Sequence, residues 1–504
     1  MNAALPADSN PQSPAEPTTK KLRASKHKHA ARNDLRLSTS YGEWAEQARA
    51  LDELSGRAKW RVREPSNLYD HPMIRARLDQ LVALRAAGDS HGLVFAIEEG
   101  VHGNLGGMGK PVLHTKAYFG TKALISDFVD TVCDTLLHIE SLPEHEVPEA
   151  VKLDLFRRAS HCYGRSALMM SSGGMLMFFH FGVAKALFDE GILPSVISGS
   201  SAGAIVAAVI GTRSDDELRG FLTPENIFFG EPWSPNLLER TTGLRRFFGA
   251  TSFDATFDRL IPDMTFREAF ERSGRNISIS VSPCERHQSP RLLNAITSPH
   301  VLIRSAVRAS CAVPGLFEPV QLLARDAQGN TVPYLKARWI DGVFAADLPA
   351  KQLARLYGTN HYTVSYINPV LMPMFRDHKL KQNHLRPLLD MVKSSARGML
   401  KSTDVVLGKY LPTSTAGSVN KIVHDLLSQQ YTGDINITPA RRLVSPLKLV
   451  SPMTHREIGD MLLEGQRQTW PRIEMIRLSS KISRTLSEIL ARYEPSLQVA
   501  DVAE

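Results

Sequence analysis

Cysteine is scarce: the 504 residues hold four, Cys133, Cys162, Cys284 and Cys311, and no two of them stand in C-x-x-C spacing. That excludes a zinc knuckle, a dithiol redox centre and a disulfide scaffold, and it fits a reducing compartment. An apolar leader is missing too. Met1 to Thr19 is rich in Pro, Ala, Ser and Asn, so no secretory signal peptide is expected. Two stretches without Lys, Arg, Asp or Glu, Ser166 to Ala184 and Gly191 to Thr212, reach bilayer length. Each is broken by Ser and Gly pairs (Ser171-Ser172-Gly173-Gly174; Ser198-Gly199-Ser200-Ser201) whose backbone groups could not stay paired in lipid. Both therefore read as buried strand–turn–helix units, and no transmembrane helix is expected. What is present is the composition of an ordinary globular chain, 43% hydrophobic and 22% charged, long enough for several structural units.

The charge is unevenly placed. Of a formal net +8, half lies in the first 36 residues, where seven Lys/Arg face three acids. The high pI thus describes a tail more than the folded body. Residues 1–39 are expected to be a disordered basic arm, attracted at most to anionic phospholipid. A nucleic-acid partner is not expected, because no aromatic set or recognition helix accompanies the basic run.

Residues 40–165 read as a helical module. Trp44 to Leu51, Pro72 to Ala87 and Lys122 to Ser141 carry apolar residues at helical spacing, and Pro72 and Gly88 punctuate the second run. Over 166–370 short apolar runs alternate with helices: strands at Ala167 to Ser171, Pro194 to Ser198, Ile277 to Val281 and His361 to Ile367, helices at Phe178 to Glu190 and Ala202 to Gly211. That alternation predicts an α/β layered core on a mostly parallel sheet. Residues 371–504 return to helices, with amphipathic runs at Thr454 to Thr469 and Ile473 to Tyr493.

The chemistry concentrates in Pro194 to Val206. A β-rich run ends, G-x-S-x-G follows at Gly199 to Gly203, and a small-residue helix begins. This is the context of a nucleophile elbow: a sharp turn exposes Ser201 at a helix N-terminus, and Gly199 and Gly203 relieve the crowding around it. A nucleophilic serine needs oxyanion donors. Thirty residues upstream the side-chain-poor turn Ser171-Ser172-Gly173-Gly174 also follows a strand and precedes a helix, leaving successive N–H groups to face an anion. It has neither dinucleotide nor Walker spacing, so a phosphate site is not expected. A base is also required. Asp341-Gly342 ends a strand-like run, and His180 lies on the helix behind the glycine turn, where packing against the sheet is the simpler role. The run Met175 to Phe179 suits an acyl site or plain core.

These residues together resemble the patatin-like phospholipase family: the glycine turn leading to His180-Phe181-Gly182-Val183, then Gly199 to Gly203, then Asp341-Gly342. The resemblance implies a patatin-like three-layer core and acyl-ester hydrolysis by a Ser–Asp dyad, without histidine, metal or cofactor. It implies Ser201 as nucleophile, Asp341 as base, and backbone amides around Ser172, Gly173 and Gly174 as the oxyanion hole. Trp60 to Leu137, Ser305 to Gly315 and Gln429 to Ile435 are similar to segments of fungal triacylglycerol lipases and bacterial relatives, which carry a helical module before the patatin domain. Where the family's turn commonly holds a basic residue, Leu176 stands here, and Val343 follows the dyad's Gly342. The missing cation points to neutral esters at least as much as to phospholipids.

The expectation is therefore a cytoplasmic lipid-ester hydrolase, peripheral to a membrane or lipid droplet. Two other readings remain open. A Ser–Asp–His hydrolase would draw its histidine from His361, His378, His384 or His424. A non-catalytic lipid-binding protein would keep the fold without turnover. Oligomeric state, chain length and headgroup are not legible.

Overall fold

Continuous apolar runs belong in strands covered on both faces, and here they build the middle of one sheet. The structure, a computed structural model, describes residues 31–100, 103–228, 257–285, 288–313, 317–342, 347–368, 433–440 and 453–500. Its strands are β1 (Arg165–Met170), β2 (Val196–Gly199), β3 (Asn276–Pro283), β4 (Arg291–Asn294), β5 (Val320–Arg325), β6 (Thr331–Asp341), β7 (Thr359–Ser365) and β8 (Ile435–Ile437). They form one eight-stranded sheet in the order β5-β6-β3-β2-β1-β7-β8, with β4 also paired to β3. The pairs β1–β2, β1–β7, β2–β3 and β7–β8 are parallel. Those of β4, β5 and β6 are antiparallel.

The mostly parallel centre matches the sequence reading; the antiparallel extension was legible only as the strand-like run before Asp341. β5 and β6 escape the pattern because β6 is largely exposed, with buried side chains only at Trp339 and Asp341, so its alternation is mixed. β8 falls inside the region expected to be helical. It is three residues long, too short to register a period, and it exists because β7 offers it a parallel edge.

Helices cover the sheet. Met177–Asp189 follows β1 and Ala202–Gly211 follows β2, the latter buried along its whole length. The two C-terminal amphipathic runs form one helix: His455–Ala500, 46 residues, continues through Pro471. An interior proline costs about 3 kcal/mol, and burial of Trp470 and Ile473 on either side offsets it. At its crossing with Met177–Asp189, Gly465 meets the Phe179 carbonyl and Gly182 meets the Leu462 carbonyl so closely that neither has room for a Cβ.

That long helix joins two apolar cores. Ile458, Leu462, Trp470, Ile473 and Ile476 sit in the sheet's core. Farther along, Ile482, Leu486 and Ile489 pack with Ile74, Leu93, Phe128 and Phe156 of the N-terminal helical module. One helix of the module ends where its boundary signals put it, and the run at Trp44 to Leu51 is longer, Tyr41–Ser55. His71–Ala87 has Pro72 in its first turn, Asp70 as N-cap and Gly88 as a left-handed C-cap. The expected arm differs at its end: residues 31–37 are helical, and Arg467 donates to the Leu37 and Ser38 carbonyls. Residues 1–30 lie outside the described residues. Among the described residues, no helix is long and apolar enough to cross a membrane.

Candidate active site

Parallel strands aim their C-terminal ends at one edge, and the turns leaving β1 and β2 meet there. β1 and β2 run in register from Ala167↔Val196 to Met170↔Gly199, so Ser171–Gly174 and Ser200–Ser201 emerge side by side. Ser201 is the N-cap of Ala202–Gly211 and has φ 51°, ψ −112°. A non-glycine residue in that region is strained by about 1–3 kcal/mol, and here the flanking chain enforces it. A Cβ on Gly203 would run into the Met170 carbonyl, and one on Gly199 into the Gly203 carbonyl. The two glycines let the helix sit directly on the strands and force the turn at Ser201. Its side chain is half-buried, whereas Met170, Ser171, Ser172, Ser200 and Ala202 are buried.

The second half of the site arrives with β6. This strand pairs antiparallel with the last residues of β3, Val281↔Asp341 through Pro283↔Trp339, just beyond the point where β2 ends opposite Ile279. Asp341 is its final residue and is buried. One helix end then holds both halves. Ser310, the last residue of Ile303–Ser310, accepts the Ser201 N–H at 2.9 Å and donates to the Ser280 carbonyl at 2.8 Å. Two residues on, the Ala312 carbonyl accepts the Asp341 N–H at 3.0 Å. Residues two apart in a chain are at most about 7 Å apart, so Ser201 and Asp341 are anchored to neighbouring points of one short segment. Between these points sits Cys311, which is buried. Burial and the Asp341 carboxylate push its pKa well up and contact with Ser201 lowers it, so it stays a neutral thiol.

The glycine turn is held from behind. The Ser171 N–H donates to the Ser365 carbonyl at 3.1 Å, the Ile367 N–H to Ser171 Oγ at 3.0 Å, and Asn368 Nδ2 to Ser172 Oγ at 3.3 Å. The Ser172 N–H donates to Asp347 Oδ1 at 2.8 Å. Burial pushes the Asp347 carboxyl up to about 7, and the Ser172 N–H and nearby hydroxyls oppose the shift. The sequence reading grouped Ser172 with Gly173 and Gly174, but its amide is engaged and its side chain buried. Gly173 is half-buried and Gly174 exposed, so those two face the open side with Ser201.

His180 lies where the helical pattern put it, with both ring nitrogens engaged by groups other than Ser201. Its Nε2 is 2.9 Å from the Ser171 carbonyl and its Nδ1 2.6 Å from Ser365 Oγ. A carbonyl only accepts, so Nε2 carries the proton and Nδ1 accepts from Ser365. Burial drops its pKa to about 4, keeping it neutral. His361 pairs with Ser166 at the opposite end of β1 from Met170. Four steps along the strand separate those levels, about 13 Å, so the structure does not bring His361 to Ser201. His378, His384 and His424 lie outside the described residues. Met175 to Phe179 are all buried in the main core, the plainer of the two roles open to them. Sequence reasoning missed Ser310, Cys311 and Asp347. A signal existed for the last: a lone acid within the apolar run Val343 to Leu348 must be buried with partners.

Comparison with known proteins supplies the family. Residues 168–354 match the patatin-like phospholipase family, and residues 21–161 match a domain of unknown function, DUF3336. Over 487 residues the chain is 30% identical to a triacylglycerol lipase of Schizosaccharomyces pombe, covering 92% of this chain and 75% of that one. The chain belongs to the patatin-like phospholipase family. A triacylglycerol lipase of Arabidopsis thaliana is 31% identical over 477 residues, 91% of this chain and 58% of the lipase. One of Saccharomyces cerevisiae is 32% identical over 472 residues, 87% of this chain and 50% of the lipase. This patatin-like chain therefore spans little more than half the length of those two relatives. The match over 21–161 coincides with the helical module and reaches into the basic segment before it.

Proposed function

We propose that this chain hydrolyses carboxylic esters of lipids through an acyl-enzyme. Ser201 Oγ attacks the ester carbonyl while Asp341 takes the hydroxyl proton. The proton passes to the leaving alcohol as the carbon–oxygen bond breaks, and water then attacks the acyl-serine by the same route in reverse. The oxyanion is held by the Gly173 and Gly174 amides, with the N-terminus of Ala202–Gly211 adding favourable potential. The observation that carries this reading is the segment Ser310–Ala312, which ties the strained, half-buried Ser201 to the end of β6 that bears Asp341. A fluorophosphonate probe should label Ser201 alone, and labelling that persists in Ser201→Ala would refute the assignment.

Acylglycerols are the proposed substrates, in line with the relatives named triacylglycerol lipases. Leu176, in place of the family's cation, is buried in the core, which favours neutral esters over charged headgroups. In a lipid panel, hydrolysis of mono-, di- or triacylglycerol should at least equal that of diacyl phospholipid. A strong phospholipid preference would count against this.

Such substrates lie in bilayers or droplets, so the chain is proposed to act at their surface. Lys20, Lys21, Arg23, Lys26 and Lys28 precede the first described residue, and each could add about 1 kcal/mol near an anionic surface. Removing residues 1–30 should weaken binding to vesicles containing anionic lipid by at least tenfold at low salt. Unchanged binding would exclude the arm as the anchor.

A further inference from the structure

We infer that Asp347 is a positioning residue of the ester-hydrolysis site: its carboxyl grips the turn after β1 and holds the Gly173 and Gly174 amides toward Ser201. The inference rests on the hydrolase reading above and adds a residue to it.

Asp347 enters from the chain that follows Asp341, six residues on, and its side chain is fully buried. It accepts the Ser172 N–H at 2.8 Å, while the Ser172 and Ser200 hydroxyls lie against it. It thus touches both turns: the residue before Gly173 and the residue before Ser201. A buried carboxyl is costly unless well bonded, so a fold indifferent to this contact would be expected to place an apolar residue here, as it does at nearby Leu353. Asn368 and Ile367 bond the side chains of Ser172 and Ser171, while Asp347 takes the Ser172 backbone N–H, the group that leads directly into Gly173. Gly173 is in extended φ and its missing Cβ leaves room for the Ile367 side chain, while Gly174 has φ 58°. Two successive glycines have many alternative conformations, and a fixed acceptor one residue upstream selects among them. Oxyanion stabilisation depends on donors already aimed when charge develops, so losing the grip should affect the chemical step more than substrate binding. Asp347 is not placed as the base: its described contacts are with Ser172 and Ser200, and Asp341 shares the Ser310–Ala312 anchor with Ser201.

The test uses the full chain and a short-chain p-nitrophenyl ester, with melting curves to check folding. In Asp347→Asn the amide oxygen still accepts the Ser172 N–H, and kcat should stay within about threefold of the parent. Asp347→Leu keeps the shape without an acceptor. It should lower kcat about a hundredfold, the scale of a lost oxyanion donor, with KM changed less than threefold. Should the Leu variant not fold, Asp347→Ser, polar but too short to reach, should show the same kcat loss. Retained kcat in Leu or Ser overturns the inference. So does a loss in Asn as deep as in Ser201→Ala, which would make Asp347 the base. If Ser201→Ala itself keeps full activity, the hydrolase reading fails and the positioning role falls with it. With Ser201→Ala inactive, the Asp347 variants judge the inference alone.

Discussion

Asp341→Asn should abolish ester hydrolysis about as completely as Ser201→Ala, each lowering kcat at least a thousandfold. Asn keeps the shape and the backbone bond from Asp341 N–H to the Ala312 carbonyl, but its amide cannot take the serine proton. General-base assistance is worth about 10²–10⁴ in rate, and among the described residues neither His180 nor His361 is placed to stand in. His180 is neutral, buried and committed to Ser171 and Ser365, and His361 is at the far end of β1. The double variant should be little worse than either single one, since two residues working as a unit lose their contribution once. Steady-state rates with a soluble ester, together with melting curves, provide the check. His361→Ala should retain most activity. A folded His361→Ala without turnover, beside an Asp341→Asn only mildly impaired, would replace the dyad with a triad.

Gly203→Ala is expected to be a severely damaging single-methyl change in the sheet region. Its Cβ would be driven into the backbone carbonyl of Met170, and neither the helix nor the strand can retreat, because the whole of Ala202–Gly211 is buried. Overpacking of this kind costs about 1–3 kcal/mol or more. It also unseats the turn that holds Ser201, so activity should fall with stability. Gly220→Ala serves as the control: nothing stands within 4 Å of its Cβ position, and it lies in the helix Asp215–Phe221. There alanine should be neutral or stabilising by up to about 1 kcal/mol. Chemical denaturation of the two variants gives the comparison. Equal stability would mean that helix and strand are not in the contact described.

Some of this was decided by local sequence. A strand-to-helix turn with glycines two residues either side of a serine can adopt few conformations, so Gly199 to Gly203 could be read as an elbow before any fold was known. Pro72 and Gly88 likewise bounded a helix by backbone chemistry alone, and the parallel centre of the sheet followed from apolar runs alternating with helices. Tertiary structure decided the rest. It set β6 against β3 so that Asp341 comes level with the elbow, a pairing between residues sixty apart that no local period encodes. It carried His455–Ala500 through Pro471 because burial on both sides outweighs a lost hydrogen bond. It also assigned the polar residues their partners: Ser172 to Asp347, Ser201 to Ser310, His180 to Ser171 and Ser365. Residue type says that a buried polar group must find a partner, but only the packed chain determines which one it reaches.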